Sequence, residues 1–255
     1  MRSRPVSRSF TPAVAQVGEA LHRQAGSYLR SIIRCDGLTC QVCATPIDEG
    51  AALCQQCDGH QRAGLPLASR TGFVVYAPFG TQAYQVVSQY KSERPGPAIT
   101  STMAGILAVA LRGHYSCSAG LSGLGDTYWA VVPSTRGRLA LSSMVEKLAR
   151  STTRRVQISY SGEEGRRVLD PSVWAPETTV PPRSHLLLID DSWVSGARAQ
   201  SVASAMVAAG FEQVSVLVAA RVMTPGYGSN QSFIEDHLTS FDWQRCPWTG
   251  DACPD

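Results

Sequence analysis

The stretch LLLIDDSWVSGARAQ, running from Leu186 to Gln200, constrains the fold of this chain more than any other. Leu186 to Ile189 are consecutive apolar residues, which read as a buried strand. Asp190 and Asp191 stand at the end of that strand, Ser195-Gly196 supplies a small-residue turn, and an Ala-rich helical pattern follows over Ala197–Ala209. Strand, turn and helix in that order form the repeating unit of a parallel α/β sheet. The same alternation recurs along the chain. GFVVYAPF reads as a strand and TQAYQVVSQYK as a helix carrying Val86, Val87 and Tyr90. AITSTMAGILAVALRG is a second helical pattern, TYWAVVP a buried strand closed by Pro133, and LALSSMVEKLAR another helix. VQISY suggests a short strand, and QVSVLVAARV a further one after the Ala-rich helix. The expected fold class is α/β, a mostly parallel twisted sheet flanked by helices.

The remaining segments are less regular. Residues 1–10 are basic and Ser/Arg-rich, which predicts a disordered tail. Pro12 to Ile33 carries Val14, Val17, Leu21, Tyr28 and Ile32 at helical spacing, interrupted by glycines. Ser161 to His185 is rich in Gly, Pro, Arg and Glu and predicts a long mobile loop.

At 255 residues the chain can hold one large domain plus a small module. Its 44 % hydrophobic and 17 % charged residues fit a soluble globular protein, and a net charge of +3 does not argue for nucleic acid. No run of 18 apolar residues is present, so no membrane span is expected. The basic N-terminus lacks the apolar core of a secretory signal, so the reading is cytoplasmic.

Eight cysteines then need a role in a reducing compartment, where disulfides are rare. Cys40 and Cys43 form one CxxC and Cys54 and Cys57 a second, with ten residues between the pairs. Two such knuckles close a four-sulfur tetrahedral site suited to zinc. Four thiolates leave no open coordination position, which makes this zinc structural. Pro46, Asp48-Glu49 and Gly50 suit a turn or hairpin in the spacer. Cys35 reads as a bystander, and Cys117 has no partner by spacing. Cys246 and Cys253 lie too far apart for a knuckle, so free thiols are expected there, with a terminal clip or metal loop as the alternative. The histidines at 22, 60, 114, 185 and 237 form no metal spacing, although His60 lies close behind Cys57.

In an open parallel sheet, ligands bind beyond the carboxyl ends of the strands. Asp190 and Asp191 occupy such an end, and the following helix N-terminus offers free N–H groups and a positive dipole to a phosphate. Ser195 and Gly196 are small enough to let backbone amides approach it. Carboxylates on hydroxyls and amides on phosphate would together hold a phosphorylated sugar.

LLLIDDSWVSGA resembles the phosphoribosyl pyrophosphate (PRPP) signature of type I phosphoribosyltransferases. The four-cysteine ribbon ahead of it, with YAPFGTQAYQVVSQYKSERPGPAIT, resembles more narrowly the ComF-type competence phosphoribosyltransferases. The resemblance covers roughly residues 36 to 222. The expected organisation is a disordered tail and N-terminal helix over 1–34, a zinc ribbon over 35–66 and a phosphoribosyltransferase-like domain over 67–255. The resemblance implies that Asp190 and Asp191 bind the ribose hydroxyls of PRPP and Mg²⁺, and that Ser195, Gly196, Ala197 and Arg198 surround the 5-phosphate. Ser134, Thr135, Arg136, Gly137 and Arg138 of AVVPSTRGR would form the pyrophosphate loop. Residues 161–182 would be the flexible loop over the reacting centre, with Arg166 or Arg167 as further cations. The implied activity is Mg²⁺-dependent phosphoribosyl transfer to an unidentified acceptor with release of pyrophosphate.

The chain also departs from that pattern. Val194 stands where the family usually has Thr, and where purine-salvage members place an acidic base. Arg198 replaces a usual Thr or Ser. Each lost hydroxyl should cost about 0.5–1.5 kcal/mol of phosphate binding. Trp193 inside the loop would stack on a ligand or plug the site, and Lys91 would reach a phosphate or end its helix in solvent. The alternatives are therefore a binding protein without turnover, or a DNA-uptake accessory acting through a protein partner or single-stranded DNA. The acidic ribbon (Asp48, Glu49, Asp58) suits protein better than DNA.

Overall fold

The computed structural model describes residues 10–149, 154–165 and 168–254. The apolar runs singled out above become the central strands of one five-stranded sheet. Its spatial order is β1 (Arg30–Ser31), β2 (Arg70–Pro78), β7 (Gln213–Met223), β6 (Ser184–Trp193) and β3 (Asp126–Val131). β2, β7, β6 and β3 run parallel, and only β1, at the edge, is antiparallel. The sheet is covered on both faces, which is why its strands are apolar throughout rather than alternating with polar residues.

Successive side chains of β6 and β7 enter opposite layers. Leu187, Ile189, Leu217 and Ala219 face a core that includes residues of α1 (Pro12–Ala25), α3 (Gln82–Gln89), α4 (Pro97–Ala108) and α6 (Ala140–Leu148). Leu186, Leu188, Val216 and Val218 face the other, with α7 (Ala197–Ala208), α8 (Asn230–Asp236) and buried Cys40, Cys43 and Cys57. The cysteine segment therefore packs on the sheet. Its links are direct: Tyr76 Oη donates to the Ala44 carbonyl at 2.6 Å, and Arg221 Nε to the Cys43 carbonyl at 3.0 Å.

Three expectations change. The helical pattern over 12–33 is not one helix: α1 ends at Ala25, and Arg30–Ser31 pair with Val75–Tyr76 as β1, because sheet pairing satisfies backbone groups there. The expected loop over 161–185 contains β5 (Trp174–Pro176), which pairs with β4 (Ile158–Tyr160) in a separate ribbon, and β6 begins already at Ser184. Buried Trp174 anchors that ribbon, its ring 4.3 Å from Tyr160. Helices α2 (Gln55–Arg62), α5 (Tyr115–Ser122) and α8 are additions to the expected elements, since their sequences carry no strong apolar periodicity. No helix among the described residues is long and apolar enough to cross a membrane. The disorder expected over residues 1–10 falls, apart from Phe10, outside the described residues, as do Arg166 and Arg167.

Candidate functional site

The parallel strands β3 and β6 end side by side, and the loops that leave them enclose a cavity of about 380 Å³. Both predicted segments line it: Ser134 to Arg138 after β3, and Asp190 to Arg198 from the last residues of β6 into the start of α7, with Tyr90 and Lys91 from the end of α3. The sequence separates these groups by up to 108 positions (198 − 90).

Asp190 and Asp191 lie inside strand β6 rather than at its end. Pairing continues past them, with Ser192 opposite Ala220 and Trp193 opposite Arg221. Both acids are buried, at 6 % and 9 % exposure. Their environments differ. Asp191 Oδ2 accepts from Tyr90 Oη at 2.6 Å and from Lys91 Nζ at 2.7 Å, while Oδ1 accepts from Ser192 Oγ at 2.7 Å. Burial alone would raise its pKa, but the Lys91 charge and these donors outweigh it and hold the carboxyl below its ordinary value. Asp190 has no such set. Burial, and then the neighbouring charge of Asp191, push its carboxyl up to about 7, against an opposing pull from Arg198. The pair is thus one firmly ionised carboxylate and one that titrates near neutrality.

Lys91 is not a solvated helix end; it lines the cavity as the ion-pair partner of Asp191. Tyr90, which sequence reasoning does not single out as a site residue, is buried against the same acid. The signal that points to both is the Tyr-Lys pair closing a helix just before a loop.

Gly196 caps α7 with φ 82°, a left-handed conformation that favours glycine. The sequence suggests that its smallness serves the approach of a phosphate. The structure gives a second reason: a Cβ at Gly196 would lie 2.0 Å from Trp193 Cζ2. Trp193 neither stacks in the cavity nor plugs it, since its indole is buried edge-on to Phe73 at 5.5 Å. Gly196→Ala therefore has two costs, backbone strain of about 1 kcal/mol or more and displacement of a core tryptophan. The expected result is a fall in melting temperature and a red-shifted tryptophan fluorescence, whereas Ser195→Ala leaves both unchanged.

Ser195 Oγ accepts from the Ala197 amide at 3.4 Å, and Val194 is 48 % exposed. Arg198 does not project to solvent with its whole side chain: its Nε is buried without a hydrogen-bond partner, and its charge acts on Asp190. In the other loop, Gly137 adopts φ 63°, and the Ser134 carbonyl and Oγ accept from the Gly137 and Arg136 amides at 3.1 and 3.3 Å. Buried Thr135 accepts from the Gly165 amide at 3.3 Å through Oγ1. Arg136 pairs with Glu164 at 3.4 Å, so the segment ahead of the β4–β5 ribbon's return strand already touches the loop.

No protein-family model matches the chain. No curated protein does either. Among solved structures it is similar to a hypoxanthine phosphoribosyltransferase from Staphylococcus aureus in two crystal forms. The tetragonal form matches with TM-score 0.30 and 7 % identity over 47 % of this chain and 73 % of that one. The orthorhombic form gives TM-score 0.30 and 8 % identity over 58 % and 88 %. A likeness that weak leaves the site's own geometry to carry the functional reading.

The four knuckle cysteines do converge. Their sulfurs lie within 4.8 Å of one another, with Cys43 and Cys54 Sγ 3.6 Å apart. Tetrahedral thiolates at a zinc bond length of about 2.3 Å sit about 3.8 Å apart, whereas a disulfide needs about 2.05 Å. The group could therefore hold a metal ion such as zinc. Arg221 Nη2 stands 3.8 Å from Cys43 Sγ, a cation beside the thiolates. His60 is not part of this group, and its buried Nδ1 has no hydrogen-bond partner among the described residues.

The metal-loop alternative for Cys246 and Cys253 gains support, Cys117 finds partners that spacing did not reveal, and the expectation that no histidine has metal geometry fails at His114. His114 joins these three cysteines in a second convergent group.

Proposed function

We propose that the protein binds PRPP with Mg²⁺ in the cavity between the β3 and β6 loops and is a phosphoribosyltransferase of the type I class, related to the ComF-type proteins. The observation that carries this reading is the convergence of an acid pair, a glycine-turned loop and a helix N-terminus on one cavity at the ends of adjacent parallel strands. In this reading Asp190 and Asp191 hold the ribose hydroxyls. The amides that open α7, beyond Ser195 and Gly196, hold the 5-phosphate. The 134–138 loop holds the pyrophosphate, with Arg136 and Arg138 as cations. The donor set fits Mg²⁺, since two buried carboxylates offer the hard oxygens it takes. When bound, Mg²⁺ neutralises charge on the departing pyrophosphate. Lys91 keeps Asp191 ionised until that load arrives. The four cysteines hold a structural zinc that docks their segment on the sheet.

A second reading, binding without turnover, draws on Asp191, whose carboxylate is already engaged by Tyr90, Lys91 and Ser192.

Calorimetric titration of PRPP with and without Mg²⁺ tests the site. Saturable binding that requires Mg²⁺ is the expected outcome, and absence of binding at millimolar PRPP overturns the proposal. Pyrophosphate release with added bases or amines then separates the two readings.

A further inference from the structure

His114 and Cys117 come from the middle of the chain and Cys246 and Cys253 from its C-terminal segment, and their ligand atoms lie within 4.8 Å of one another. Local structure brings each half into place. α4 runs into a π-helical turn, Val109–Gly113, after which His114 and Cys117 stand at the start of α5 with the Cys117 amide donating to the His114 carbonyl at 3.1 Å. The other half is a closed loop, CPWTGDAC. The Cys246 amide donates to the Asp251 carbonyl at 2.8 Å, and the Gly250 amide, at φ 74°, returns to the Cys246 carbonyl at 2.9 Å. Those bonds fold Cys253 back beside Cys246 despite the six residues between them.

The histidine is oriented as a ligand would be. Nε2 faces the Trp243 carbonyl at 3.5 Å, an acceptor for a ring proton there when Nδ1 serves a metal. Nδ1 stands 3.4 Å from Cys253 Sγ. Phe10 packs edge-on against the imidazole at 5.3 Å. His114, Cys117 and Cys246 are buried, and half-buried Cys253 leaves a path for entry.

We propose that these four residues form a second structural zinc site, Cys₃His, which clamps the C-terminal segment to the helical face of the domain. The ligand set selects zinc: three soft thiolates and one imidazole, tetrahedral in reach, with no position left open. Binding releases the thiol protons to solvent. The segment it clamps lacks regular structure of its own from about residue 240 onward, yet buries Phe241, Trp243 and Trp248. Trp243 lies where a Cβ on Gly18 of α1 would be, and Trp248 where one on Gly72 of β2 would be. An irregular segment inserted that deeply needs a tether, and the metal supplies it. This inference is independent of the PRPP reading.

The test is metal content of the reduced full-length protein by mass spectrometry, with alkylation of thiols before and after chelation. Two zinc ions per chain are expected, falling to one in Cys253→Ser and to one in Cys40→Ser. Cys117, Cys246 and Cys253 should resist iodoacetamide until a chelator is added, a readout that needs no variant. His114→Cys should keep two metals while shifting the cobalt-substituted spectrum toward four-sulfur ligation. One zinc per chain that Cys253→Ser leaves in place overturns the proposal. So does a disulfide among the three cysteines, or visible absorption of an iron–sulfur cluster.

Discussion

Replacing Asp190 and Asp191 together by asparagine is expected to abolish Mg²⁺-dependent PRPP binding, while Asp190→Asn alone makes the ligand-free protein more stable at pH 8. The second effect follows from burial. Asp190 has a pKa raised to about 7, so its contribution to stability is complete below its unfolded value near 3.8 and is lost as pH rises through 7. Asparagine has nothing to ionise and escapes that loss. Every tenfold change in proton affinity corresponds to about 1.4 kcal/mol, so the gain at pH 8 should reach a few kcal/mol, or several degrees in melting temperature. The Asp191 amide keeps its acceptor, because asparagine retains the oxygen that Oδ1 supplies at 2.9 Å. Melting curves between pH 4 and 8 check this: the variant's advantage should grow across that range. An advantage independent of pH would show that Asp190 is not ionised against its surroundings. Asp191→Asn should behave oppositely, losing the Lys91 ion pair and gaining nothing at high pH.

This contrast marks what the sequence could reveal. The strand, the small-residue turn and the helix were legible in LLLIDDSWVSGARAQ because apolar runs and turn residues are local signals. The continuation of β6 through Trp193 was not, because it depends on partners in β7 such as Arg221. Likewise nothing near Lys91 announces a carboxylate 100 positions away. The knuckle cysteines were legible through spacing within one segment. His114 and Cys117 share the same interval as a knuckle, yet their partners lie more than a hundred residues on, where six intervening residues concealed the match.

Removing metal from the Cys40–Cys43–Cys54–Cys57 group should have the largest effect on stability. Structural zinc sites of this kind contribute about 10–16 kcal/mol of apparent binding energy, comparable with the whole stability of a domain. The segment is also woven into the sheet. Arg221 reaches the Cys43 carbonyl and thiol, Thr71 Oγ1 donates to the Val42 carbonyl, and Arg34 Nη1 donates to the Gln41 carbonyl at 2.9 Å. Without the knuckles Arg221 Nε and Arg34 Nη1 lose these acceptors, and a buried donor left unsatisfied is costly. Cys57→Ser, or chelation of the wild type, should lower the melting temperature by about 10 °C or more, broaden the transition and expose protease sites within residues 35–66 first. A melting temperature unchanged after metal release would show that the thiols hold the segment without an ion.

The strand order has a consequence for synthesis. β2 leaves the ribosome early, apolar on both faces, yet its parallel neighbour β7 follows some 140 residues later (213 − 70 = 143). Until then the nascent chain has only the two-residue edge β1 to set against β2, and the acid pair of β6 also waits for β7 to fill the gap between them. The first half of the chain is therefore a passenger during translation: its sheet zips shut in a late, long-range event, and β2 is the segment that a holding chaperone must shield.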